Sequence, residues 1–288
     1  MLLFLFAVLS GLAFSVLSLG YKAADAYHCR TMAFIMPFTL TSGIIALIGS
    51  CWQANTWQDP RLWWIGLPAG VLLFFAIYIV VRANQLGPAS ISWTFVNISL
   101  LVPIGISTVV LHERLYPIDL LSIALFILML LAFARSIAGA GEVKSAHRVL
   151  FTLALLSIFI VNGTWMFGSK LKEHVFHDVN TFSFIAIVYL TCAVLSFGIY
   201  LLQHGWKLPQ SHELKIGIGS GVASVTGILL FVAAAALKAA ILYPVSQGIS
   251  LLGGVMITAI LYRERVDAYK MAGFVLGIAV LMISVLRG

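Results

Sequence analysis

The chain has 288 residues, 61% hydrophobic and only 9% charged, with mean hydropathy +1.06 and a net charge of +7. A soluble domain carries roughly 25% charge, so this composition excludes a chain that covers itself with a water-facing surface. Its apolar runs instead reach the about 20 residues that a helix needs to span a bilayer.

Lipid leaves only helices or closed barrels, because every backbone N–H and C=O must be paired within the protein. Barrel strands alternate apolar and polar residues, and these runs do not. We therefore expect an all-α integral membrane protein. Lys and Arg sit at the ends of the runs, where they meet lipid phosphates and snorkel. The positive charge thus reads as topology: membrane lipids are expected partners and no nucleic acid is. Cys29, Cys51 and Cys192 show no paired spacing and predict neither a disulfide nor a metal site.

Ten transmembrane helices fit in chain order, over residues 2–19, 31–51, 62–81, 88–110, 118–136, 149–169, 181–202, 216–237, 240–261 and 268–286. Ala24-Asp25-Ala26 resembles a signal-cleavage site, but no basic residue precedes the first apolar stretch, so it is read as a retained helix. The connections are short, and none is long enough for a separate domain.

The sequence also repeats itself. Ile98-Ser99-Leu100-Leu101 returns as Ile249-Ser250-Leu251-Leu252, 151 positions on, and at that spacing Glu113-Arg114 falls on Glu264-Arg265. Thr31-Met32-Ala33-Phe34 matches Thr181-Phe182-Ser183-Phe184, and Leu40-Thr41 matches Leu190-Thr191, both 150 apart. Self-similarity at a fixed spacing marks a unit used twice. Residues 1–137 form the first unit, 138–148 a polar linker and 149–288 the second. Each unit has five helices. Five is odd, so the second unit enters the membrane from the opposite face. Two inverted five-helix repeats follow, an architecture of many secondary transporters, which place their site at the midplane between the repeats. Loops after odd-numbered helices hold Lys22, Arg30, Arg82, Arg135, Lys144, Arg148, Lys207, Lys215, Arg263, Arg265 and Lys270, 11 of the 17 Lys and Arg. The positive-inside rule then puts both termini outside.

A polar group inside a lipid-embedded helix costs free energy unless it faces the protein interior or a wet cavity. Depth within the runs therefore selects candidates. Trp93 and Asn97 lie four apart, on one helical face, and so do Tyr243 and Gln247. Asn162 and Trp165 come from the sixth helix and Tyr78 from the third. As a set they predict a cavity with aromatic walls and amide hydrogen-bonders; the alternative is interhelical glue and an interfacial aromatic belt. Gly253-Gly254 and Gly217, Gly219, Gly221 read as close-packing surfaces. Pro103 and Pro244 are expected to break or kink their helices. Lys170 and Lys22 read as snorkelling lysines, with an anion gate as the sharper alternative. Glu113-Arg114 and Glu264-Arg265 read as ion pairs at opposite membrane faces, with gating as their functional reading.

The run 78–115, with Arg82-Ala83, Gly87-Pro88-Ala89, Leu101-Val102-Pro103 and Glu113-Arg114-Leu115, resembles the EamA-type unit of the drug/metabolite transporter superfamily. The resemblance covers nearly the whole chain and is poor for substrate. It implies ten helices around a central cavity, worked by alternating access. Members move amino acids, purines, sugars, sugar nucleotides, quaternary amines and lipid-linked groups. Many such units carry Trp-Gly in their first helix, where this chain has Gly11-Leu12-Ala13-Phe14 and Asn162-Gly163-Thr164-Trp165.

All ten acids lie in loops or near helix ends, so no buried carboxylate is available to bind a cationic drug or a coupling proton. No phosphate-binding loop occurs, so ATP does not drive this chain directly, and no cofactor is expected. The expectation is a secondary transporter in the cytoplasmic membrane, moving a small neutral or zwitterionic metabolite, with a lipid-linked substrate or a quaternary amine as alternatives and a homodimer left open. The rival from another class, a membrane enzyme, would rest on Glu173, His174, His177 and Asp178. Those residues lack the third ligand of a zinc-site pattern, so no enzyme is expected.

Overall fold

The computed structural model describes residues 2–52, 57–87, 89–137, 148–261 and 268–287. Among the described residues eleven helices follow one another and no strand occurs. They are α1 (Leu2–Ala26), α2 (Thr31–Ser50), α3 (Pro60–Leu86), α4 (Ala89–Ile98), α5 (Leu101–Val110), α6 (Pro117–Ile137), α7 (Arg148–Val175), α8 (Thr181–His204), α9 (Ser211–Ala233), α10 (Ala239–Leu261) and α11 (Ala268–Arg287). Eight of them are long and apolar enough to cross a membrane, and Thr94–Val110 and Ala268–Ser284 are shorter apolar stretches. The chain is an all-α, multi-pass membrane protein.

Helix ends follow local chemistry. α1 runs seven residues past the expected end at Leu19, because Ala23, Ala24 and Ala26 favour helix and outweigh the single Gly20. It stops at His28, whose φ of 49° is left-handed. There the Cys29 N–H donates to the Ala24 carbonyl and the His28 N–H to the Asp25 carbonyl, the double bond of a Schellman end. α3 starts where the Asp59 carboxylate accepts the Arg61 N–H at 2.9 Å, with Pro60 in the first turn. α8 starts where the Asn180 side chain accepts the Ser183 N–H at 2.9 Å.

The expected fourth helix is two pieces, α4 and α5. Pro103 has no N–H to donate to the Ser99 carbonyl, and its ring crowds that carbonyl. The chain tightens instead: Leu100 N–H donates to Asn97 O (3.2 Å) and Val102 N–H to Ser99 O (3.0 Å). Pro244 has a milder effect. It lies near the start of α10, which continues through it.

α2 and α8 pack together at the centre of the bundle. Around them α1 packs on α9 and α10, α7 packs on α3, α4 and α5, α9 also packs on α2, and α3 also packs on α8. α6 and α11 pair with each other at the side. Small residues set these approaches. A Cβ on Gly221 would stand 2.5 Å from the Phe38 carbonyl oxygen and 2.8 Å from Thr41 Cβ. A Cβ on Gly70 would stand 2.7 Å from the Val188 carbonyl oxygen and 2.6 Å from Thr191 Cβ. Gly217 is likewise close to Phe34 and Pro37, whereas Gly219 meets nothing within 4 Å.

Candidate functional site

The α2–α8 core leaves a cavity of about 130 Å³ among the helices packed around it, room for several waters or a small organic molecule. α1, α2, α3, α4, α7, α8, α9 and α10 all contribute lining side chains. Six are aromatic: Phe14, Tyr21, Phe38, Trp165, Tyr189 and Phe231. The polar lining is Asn162, Ser169, Ser224, Gln247 and Ser250, and no Lys, Arg, His, Asp or Glu belongs to it. On α3 and α9 the lining falls at matching positions 151 apart: Leu73 with Ser224, Ile77 with Ile228, Val80 with Phe231.

Three sequence candidates, Asn162, Trp165 and Gln247, line this cavity. Asn162 also repairs the α4–α5 break. Val96 O has lost its helical donor there, and it accepts from Asn162 Nδ2 (3.3 Å) and from Ser99 Oγ (2.5 Å). Asn162 Nδ2 also donates to Ser99 Oγ at 2.7 Å. Freed backbone groups in a membrane must be re-paired in this way.

The other described candidates, Asn97, Tyr243 and Tyr78, are not part of the lining. Asn97 is buried but is not part of the lining. Tyr243 is fully buried and is not part of the lining, its hydroxyl donating to Met166 O at 2.9 Å. Tyr78 is half-buried and stacked on Phe74, ring centroids 6.0 Å apart. Trp93 belongs to α4, but its side chain lies outside those described. Glu264 and Arg265 lie outside the described residues.

Glu113 pairs with a different cation from the one expected. Arg114 is exposed, and the ion-pair partner of Glu113 is Lys170 of α7 at 2.7 Å. Lys170 is 1% exposed and also donates to Leu237 O at 2.7 Å. The second Glu113 oxygen accepts the Ala239 N–H at 2.8 Å, where α10 begins. A buried ammonium needs such a partner set, and the positive helix start favours the carboxylate. His112, with φ 53°, turns the chain between α5 and Glu113. Lys238 stands 4.8 Å from the Tyr116 ring centroid in the same region. Together these contacts close the bundle at what we term the Glu113 end. Arg61 bridges Asp59 (2.7 Å) and Asp178 (2.5 Å) there. Its hydrogen bonds hold both carboxyls below the ordinary carboxylate range. The opposite, Arg30 end is tied by Arg30 and Glu213 at 2.7 Å.

Tyr21, Tyr189 and Ser224 were not singled out from the sequence. The Tyr189 hydroxyl and Ser224 Oγ are 2.6 Å apart in the cavity wall. Depth alone could have found Tyr189, which lies well inside α8. Glu173 is held by Lys172 and Asp178 by Arg61. Among the described residues no group of three or more His, Cys, Asp or Glu is placed to hold a metal.

No family model matches the sequence, and no curated protein matches it. Solved structures do. One, described only as "Crystal structure of protein", superposes with TM-score 0.79 at 17% identity, over 99% of this chain and 96% of that one. At that identity the likeness extends to the fold alone.

Proposed function

We propose that this chain is a ten-span secondary transporter of the EamA type within the drug/metabolite transporter superfamily. Two inverted five-helix repeats move a small neutral or zwitterionic metabolite across the cytoplasmic membrane by alternating access. The observation that carries the reading is the cavity itself. It lies between the halves, takes lining from matching positions of α3 and α9, and is closed at the Glu113 end. Helix pairing supports it too. Exchanging α1 with α7, α2 with α8, α3 with α9, α4–α5 with α10 and α6 with α11 turns the α1–α9 contact into α7–α3 and the α2–α9 contact into α8–α3. It turns α1–α10 into α7 with α4–α5, and leaves α2–α8 and α6–α11 unchanged. α7 bonds α4 through Asn162, and α1 bonds α10 through Ser10 and Ser246 (3.2 Å), in keeping with that exchange. An uncharged lining favours substrates without net charge.

A quaternary amine is the second reading, favoured by the six aromatic side chains, whose faces hold such a cation without a carboxylate. A thermal-unfolding screen in detergent against amino acids, nucleobases, sugars and quaternary amines tests both. A ligand bound by the folded state raises the melting temperature by mass action. Each stabilising class is then carried into proteoliposome flux. Stabilising ligands with no saturable flux would sink the transport reading.

A further inference from the structure

A second pocket, of about 140 Å³, opens at the Arg30 end. Its polar lining is Tyr21, Asp25, His28, Asn84 and Gln85, and Tyr21 also lines the central cavity. The Tyr21 ring therefore stands between the two spaces, edge-on to Phe34 (5.5 Å) and Phe38 (6.1 Å).

The pocket presents acceptors. Asp25 and Asn84 come from the last turns of α1 and α3, and helix C-termini carry partial negative charge. The Asp25 carboxylate adds a full charge at the exposed rim. Asn84 Oδ1 is buried and accepts no hydrogen bond among the described residues. Gln85 is tied at both ends of its amide: one Nε2 N–H donates to Thr31 Oγ1 at 3.0 Å, and its Oε1 accepts from Arg82 at 3.0 Å. Two neighbouring cations are engaged, Arg82 with Gln85 and Arg30 with Glu213.

We propose that this pocket is a second binding site, a vestibule that takes the primary ammonium group of a substrate before it passes Tyr21 into the central cavity. The inference rests on the transport reading and names the chemistry of that substrate. A primary ammonium has three donors and no acceptor. It answers the unpartnered Asn84 oxygen and the Asp25 carboxylate together, and the Tyr21 ring face receives it on the way in.

Cys29 lines the vestibule and provides the test. Cys51→Ala/Cys192→Ala leaves Cys29 as the one thiol, and Cys29→Ala/Cys192→Ala leaves the exposed Cys51. Each protein is reacted with 2-aminoethyl methanethiosulfonate, a primary ammonium, and with the anionic 2-sulfonatoethyl analogue. The ratio of the two rates cancels the thiolate fraction. The cation-to-anion ratio at Cys29 should exceed that at Cys51 by about tenfold or more, the effect of one nearby carboxylate in a partly wet site. Asp25→Asn should return it to the Cys51 value. Equal ratios at the two thiols, a ratio unmoved by Asp25→Asn, or a Cys29 inert to both reagents would each overturn the proposal. No transported substrate is needed. A protein without flux but with the selective ratio loses only the transport reading, and one with flux but a flat ratio loses only the vestibule.

Discussion

The Glu113–Lys170 pair gives the sharpest energetic prediction. Lys170 is 1% exposed, and without Glu113 it keeps one acceptor, the Leu237 carbonyl. Glu113→Leu strands a buried ammonium and should cost about 3–5 kcal/mol. Lys170→Met should cost less. The Glu113 carboxylate is 16% exposed and keeps the Ala239 N–H at 2.8 Å, so about 1–2 kcal/mol is expected. The double variant removes both charges and should lie within about 1–2 kcal/mol of wild type, because an apolar replacement of a buried pair is often nearly neutral. The coupling between the two sites is then about 4 kcal/mol, well beyond the additivity of distant sites. Reversible unfolding in mixed micelles, followed by tryptophan fluorescence, measures all four corners. Additive costs, or a Lys170→Met cost as large as that of Glu113→Leu, would refute the account of the network.

Three further outcomes are expected. Gly70→Ala and Gly221→Ala should each destabilise by about 1–3 kcal/mol through overpacking, while Gly219→Ala, with nothing within 4 Å, should not; a neutral Gly221→Ala would remove the close approach of α2 and α9. If the Glu113 contacts form the closed gate of a transporter, Glu113→Gln should change the flux rate more than the half-saturation concentration, and an unchanged rate would leave the contacts a structural tie. Asp59 and Asp178 have carboxyl pKa values lowered by Arg61, so their contribution is complete above the ordinary carboxylate pKa and is lost as pH falls through the lowered values. The melting-temperature difference between wild type and Arg61→Gln should thus be small above the ordinary carboxylate pKa of about 4 and shrink as pH falls below it; a difference that grows in acid would contradict that sign.

Periodicity and length made the helices legible, because a bilayer demands long apolar runs and little else. What the runs hid were ends and breaks. α7 continues six residues past the expected Ser169 to Val175 because Lys170 and Lys172 are buried and partnered there. A lysine near the end of an apolar run looks the same in sequence whether it snorkels or pairs. Pro103 was visible as a breaker, but the rescue of Val96 O by Asn162 is a contact between α4 and α7, 66 residues apart. The site was legible where a polar group lay deep in its run, as Asn162 and Gln247 do. It was not where a tyrosine near a helix end, such as Tyr21, divides two spaces.

The spacing argument behind Trp93–Asn97 and Tyr243–Gln247 meets a different register in the packing. Ser10 of α1 meets Ser246 of α10, and Asn162 of α7 meets Ser99. Gly11 seats against the Ser246 carbonyl and Ile249, and Gly163 against the Ser99 carbonyl and Val102. These contacts set Ser99 against Ser246 and Val102 against Ile249, 147 positions apart, whereas the sequence identities set Ile98 against Ile249, 151 apart. The difference is four residues, about one helical turn or ~6 Å of rise. In the contact register Gln247 answers to Leu100, and Asn97 to Pro244. That agrees with Gln247 lining the cavity and Asn97 lying off it. In the thermal screen Gln247→Ala should therefore abolish most of a ligand's stabilisation, while Asn97→Ala should lower the ligand-free melting temperature and leave the ligand-induced rise intact. Equal loss of that rise in both variants would restore the 150-residue alignment and put both amides in the site.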